Sequence, residues 1–257
     1  MRNNSTWAPS APLPTNWAPE AWNPLFTALA VVGAFIVIFA AVFAYLAIAV
    51  STHAIDPRSV AGVSPAQQLL LQFVVFAFFA VYLLIVTPLV AQAPLRALGL
   101  RVPTGRELGI GALGALAMFV LVDGSGSLIA TLLHRHDTEQ AIALLKDMKT
   151  LGERTFFFLL ACAFAPFYEE LAFRVFVFNA LTRYASIGVA ATISGILFGL
   201  LHASSVPELL TVGVPLALGG IVLAYVYAYT RCFWANVFTH ALFNAISTLS
   251  IFLFHVS

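Results

Sequence analysis

The sequence predicts an all-α, polytopic transmembrane helical bundle of about seven spans. Two observations carry this. Of the 257 residues, 61% are apolar and only 9% are charged, against roughly 45–50% and about 25% in an ordinary soluble domain. The apolar residues also fall in long uncharged runs, each about 20 residues or more, the length needed to cross a bilayer. Twelve Lys and Arg and eleven Asp and Glu cannot cover the surface of a soluble fold of this size, and they sum to a net charge of +1. The same figures exclude a disordered chain and a nucleic-acid binder, which would need a basic excess.

The elements follow in chain order. Residues 1–24 form a Pro/Trp-rich N-terminal segment, with Pro9, Pro12, Pro14, Pro19 and Pro24 among Trp7, Trp17 and Trp22. The prolines argue against regular helix and the tryptophans suit a membrane interface. The first apolar run starts too late and runs too long for a signal peptide.

Residues 25–150 hold the N-terminal spans, over 25–50, 69–90 and 108–133. Asp123, Gly124 and Gly126 interrupt the third, so Asp123 reads as satisfying a broken helix or as a site of chemistry. A polar loop over 134–154 follows, with a short amphipathic helix expected near 138–148. Residues 151–257 form the remaining core, with spans over 155–183, 185–202, 207–230 and 232–256. Pro166 and Pro215 are positioned to kink or split two of these, which would raise the count to eight. Cys162 and Cys232 sit in apolar runs without C-x-x-C spacing and read as small buried hydrophobes. Arg96, Arg101 and Arg106 in one short loop place that face, and the N-terminus, in the cytoplasm. The chain is expected in the plasma or inner membrane if bacterial.

Charged side chains deep in a bilayer cost about 2.5–3.5 kcal/mol each on insertion scales, so they mark candidate sites. Three clusters qualify: Glu169, Glu170 and Arg174; Phe198 with His202; and His240 with Asn244. Glu170 and Arg174 are four apart with the acid first, the favourable order for an ion pair. Glu169 points about 100° away and is free to act as a base. His240 and Asn244 share one helix face and offer N–H donors for an oxyanion. At about 1.5 Å per residue from the face where Arg183, Ala185 and Cys232 lie, Glu169 is about 21 Å deep, His202 about 25 Å, His240 about 12 Å and Asn244 about 18 Å. With tilt, the four meet at one level. A lone intramembrane His is more often a packing residue; the joint occurrence of three clusters shifts the odds.

At these residues the chain resembles the CAAX protease and bacteriocin-processing family of intramembrane proteases. The family pattern E-E-x-x-x-R, F-x-x-x-H and H-x-x-x-N is met by Glu169, Glu170 and Arg174, by Phe198 and His202, and by His240 and Asn244, in order, over roughly 150–250. The resemblance implies an intramembrane endopeptidase acting on a membrane-associated substrate, either a prenylated CAAX-type protein or a leader peptide. Membrane lipid and that peptide or protein are the expected partners. Glu169 and His202 would activate water, His240 and Asn244 would hold the oxyanion, and Glu170, Arg174 and Phe198 would orient the site.

No cofactor is expected. A zinc-dependent version would use Glu169, His202 and His240, a sufficient ligand count. It lacks the H-E-x-x-H pattern that would make it strong. A proton-coupled transporter would use the same Glu and His residues with Asp123 as a relay, but has no use for a non-titrating Asn244.

Overall fold

A computed structural model describes residues 22–52, 64–134, 144 and 148–254. Residues 1–21 and most of the amphipathic helix expected near 138–148 lie outside the described residues. The described chain forms seven helical segments: α1 (Pro24–Ser51), α2 (Pro65–Ala91), α3 (Gly105–Leu133), α4 (Leu151–Thr182), α5 (Ile187–His202), α6 (Leu209–Thr230) and α7 (Phe233–Phe254). Among the described residues, α1, α2, α3, α4 and α6 are long and apolar enough to cross a membrane. At 16 residues α5 is shorter, and α7 carries Asn236, Thr239, His240 and Asn244 within its apolar length. The chain is thus a multi-pass integral membrane protein.

Helix starts follow local chemistry. Ser64, Thr104 and Thr150 each close a capping box with Gln67, Glu107 and Glu153, which satisfies first-turn N–H groups that have no partner within the helix. The box at Thr150 and Glu153 starts α4 at Leu151, a turn earlier than hydropathy suggests. The break anticipated at Asp123 does not occur: α3 runs through it unbroken. In hydrocarbon a freed backbone carbonyl costs several kcal/mol, more than the roughly 1 kcal/mol penalty of a helical glycine.

Neither proline splits its helix. Instead α4 alternates register, with π-helical turns at Leu160–Phe164 and Leu171–Phe178 flanking the α segment Ala165–Glu170. A third π turn, Leu209–Gly213, precedes Pro215 in α6.

Small residues set the packing, as expected where apolar burial gives no advantage over lipid. A Cβ at Gly199 would stand 2.1 Å from Gly213 O, and one at Gly220 would stand 2.8 Å from Gly195 Cα, so α5 and α6 touch backbone to backbone. Gly111 and Gly114 of α3 accept Thr239 of α7 in the same way. The loop before α3 is pinned at one end of the bundle: Phe233 N donates to Gly99 O at 2.8 Å and Tyr227 Oη to Leu98 O at 2.6 Å. Gly99 has φ +93°, a conformation L side chains rarely adopt. Large apolar side chains on α1 (Phe35, Phe39, Phe43) and α3 (Leu113, Leu116, Val120) remain exposed, the surface that lipid covers.

Candidate active site

Three helices deliver the polar side chains to one place. The α segment after the first π turn of α4 supplies Glu169 and Glu170, the next π turn supplies Arg174, the end of α5 supplies His202, and α7 supplies His240. Glu169, Glu170, Arg174 and His240 are buried, and the His202 side chain keeps 22% of its exposure. This is the partial access a site needs if a substrate is to reach it.

Glu170 is the anchor. Arg174 Nη1 donates to its Oε1 at 2.9 Å and His240 Nδ1 lies 2.8 Å from the same oxygen, while Asn236 Nδ2 donates to Oε2. Arg174 is held in turn by Gly220 O at 3.0 Å and by the Phe198 ring, whose centroid is 5.0 Å from Cζ. Three donors around a fully buried carboxylate hold it fixed. The sequence-predicted pair of Glu170 and Arg174 is therefore present, with two further partners.

Glu169 takes a different course. Its Oε1 accepts from Tyr168 Oη at 2.8 Å. His202 Nε2 lies 3.9 Å from Oε1, and His240 Nε2 lies 3.6 Å from Oε2. Both separations exceed a hydrogen bond, so the carboxylate faces two imidazoles across a gap.

Hydrogen-bond partners fix the tautomers. His202 Nδ1 sits 2.7 Å from Phe198 O, which only accepts, so Nδ1 carries a proton and Nε2 of the neutral ring is an acceptor. His240 Nδ1 faces Glu170 Oε1, the oxygen that accepts from Arg174, so it too carries a proton. Its Nε2 is the nitrogen left for the gap, and it donates there only when the ring holds both protons.

Phe198 sits at the centre, edge-on to Phe173 (5.2 Å between centroids) and beside His202 (4.5 Å) and His240 (5.7 Å). Asn244 lies two turns of α7 beyond Asn236, and its Nδ2 donates to Ala161 O at 2.7 Å. One of its two N–H groups is thereby engaged and one remains. Asp123 is exposed on α3, about 18 Å along the helix from Gly111, the residue that packs on Thr239 beside His240. Among the described residues, no three His, Cys, Asp or Glu side chains are arranged to hold a metal ion.

Two participants escape the sequence motifs. Tyr168 adjoins Glu169, and neighbouring helical residues ordinarily diverge; its ring lies stacked on Phe76 of α2 (4.1 Å, 24°), from where the hydroxyl reaches the carboxylate. Asn236 was more accessible, because it precedes His240 by four residues and continues the polar stripe of His240 and Asn244.

Residues 151–246 match the family model described as Rce1-like, type II CAAX prenyl endopeptidase Rce1-like. The protein named "Putative membrane peptidase YdiL" of Bacillus subtilis (strain 168) is 33% identical over 79 residues, 31% of this chain and 30% of that protein. The aligned segment is thus less than a third of that relative's length. No solved structure matches the chain. The matched segment starts with α4, ends within α7 and contains every side chain of the site. Over residues 151–246, less than half of its length, the chain is similar to the Rce1-like family of type II CAAX prenyl endopeptidases.

Proposed function

We propose that the chain is an intramembrane endopeptidase in which Glu169 and His202 activate a water against a peptide bond. The observation that carries this is Glu169 itself, a buried carboxylate with His202 Nε2 3.9 Å from Oε1 and His240 Nε2 3.6 Å from Oε2. Two acceptors 3.9 Å apart are bridged by one water donating about 2.8 Å to each. Glu169 takes one proton as the water oxygen bonds to the scissile carbonyl carbon, and the carbonyl oxygen becomes an oxyanion. His240 and the remaining N–H of Asn244 stabilise that charge, with the Glu170 carboxylate against His240 Nδ1. The proton on Glu169 passes to the departing amine as the C–N bond breaks.

Glu170, Arg174, Asn236 and Phe198 hold the geometry. Zinc is the alternative for this donor set, but among the described residues no three His, Cys, Asp or Glu side chains form a ligand group. No observation favours a transporter. The family description supports a substrate at the membrane, with a prenylated C-terminal CAAX peptide and membrane-bound leader peptides as the two classes to compare. The loop bearing Arg96, Arg101 and Arg106 is read as cytoplasmic.

The test uses purified full-length chain in detergent against both peptide classes. Glu169→Ala, His202→Ala and His240→Ala each abolish cleavage while the protein stays monodisperse. Full activity in Glu169→Ala would falsify the assignment. Loss of activity on chelation, restored by zinc, would overturn the metal-free chemistry.

A further inference from the structure

We infer that Asn244 is also a positioning residue: its carboxamide stands in for the N–H that Pro166 lacks, and so braces the change of register in α4 that presents Glu169 and Glu170. The argument starts with backbone hydrogen bonds. In the first π turn of α4, Ala165 N donates five residues back, to Leu160 O. In that register the next bond runs from residue 166 to Ala161 O, and residue 166 is proline, which has no N–H. Ala161 O would be left orphaned inside a membrane-spanning helix. It is not, because Asn244 Nδ2 of α7 donates to it at 2.7 Å.

The placement of the other α7 side chains gives this bond its consequence. Asn244, His240 and Asn236 recur every four residues on one face of α7. Asn244 grips α4 at Ala161, before Pro166, while His240 and Asn236 grip it at Glu170, after Pro166. One helix thus splints both sides of a change of register in another, and the splinted segment Ala165–Glu170 carries the candidate base. Only one N–H of Asn244 is used, so the brace leaves the second for a substrate oxygen.

The role of Asn244 as a brace is independent of what the site does, although its kinetic consequence rests on the peptidase reading above. A double-mutant cycle separates the two. Full-length chain, Asn244→Ala, Pro166→Ala and the double variant are compared in detergent by thermal unfolding and by cleavage of a membrane-peptide substrate. Asn244→Ala is expected to lower the apparent Tm by a few degrees and kcat by on the order of tenfold, with KM unchanged.

Pro166→Ala restores a backbone N–H, so in that background Asn244→Ala costs less in Tm, while the part of the kcat loss that comes from the missing oxyanion N–H persists. If Asn244→Ala does not yield folded protein, Asn244→Ser, whose shorter side chain cannot reach Ala161 O with the same geometry, completes the cycle. An equal Tm cost in both backgrounds overturns the brace. Coupling in Tm without proteolysis in any variant leaves the brace standing and overturns the peptidase reading instead.

Discussion

His240 Nδ1 lies 2.8 Å from Glu170 Oε1, the same oxygen that Arg174 Nη1 contacts at 2.9 Å. One buried carboxylate therefore serves two cationic or potentially cationic groups on different helices. Glu170→Gln keeps the shape but removes the charge, leaving the Arg174 guanidinium buried without a counter-ion. Breaking such a pair costs about 3–5 kcal/mol. We expect a large fall in thermal stability in detergent, and a smaller one in Glu170→Gln/Arg174→Gln than the sum of the single variants. Strict additivity would show that the two side chains do not interact.

Asn236 touches nothing that a substrate would reach, since it is fully buried and its amide is spent on Glu170 Oε2. Asn236→Ala leaves that oxygen without a donor, at a cost of about 1–3 kcal/mol. Because Glu170 also orients His240, kcat should fall while KM holds. A variant that melts lower yet turns over at the wild-type rate would confine Asn236 to stability.

Tyr168→Phe retains the ring stacked on Phe76 and deletes only the hydroxyl 2.8 Å from Glu169 Oε1. Folding should be little affected. A hydrogen bond to a charged group is worth roughly 1.5–3 kcal/mol, which corresponds to about a ten- to hundredfold loss if it is needed to aim Glu169 at water. Steady-state cleavage at saturating substrate reads this directly. Wild-type kcat would mean that Glu169 is oriented by its helix alone.

The expected spans were legible because bilayer crossing is a length and charge criterion. So was the motif set, because charge is scarce enough in this chain for Glu169, Glu170 and Arg174 to stand out. What could not be read was register. The π turns around Pro166 depend on where a carbonyl finds a donor, and for Ala161 that donor is on a helix far along the chain. The break anticipated at Asp123 failed for a related reason, since a glycine's weak helix propensity matters less than backbone satisfaction in an apolar medium. Tyr168 was hidden because its hydroxyl reaches Glu169 through a stacking contact with α2, which no spacing along α4 reveals.

Gly199 offers a test of how closely the site depends on helix packing. A Cβ there would stand 2.1 Å from Gly213 O and 2.8 Å from Ala217 N, contacts with backbone atoms that cannot swing aside. Gly199→Ala must therefore push α5 away from α6. His202, three residues on, would shift with α5 and widen its 3.9 Å separation from Glu169. Overpacking of this kind costs about 1–3 kcal/mol, and a misplacement near 1 Å can cost on the order of a hundredfold in rate. Gly124 is the matched control, since a Cβ there meets nothing within 4 Å and the residue lies in the unbroken part of α3. Gly124→Ala should keep wild-type cleavage and melt no lower, because alanine favours helix by about 0.5–1 kcal/mol over glycine. Comparable losses in both variants would mean that glycine content, rather than the α5–α6 contact, sets stability and activity.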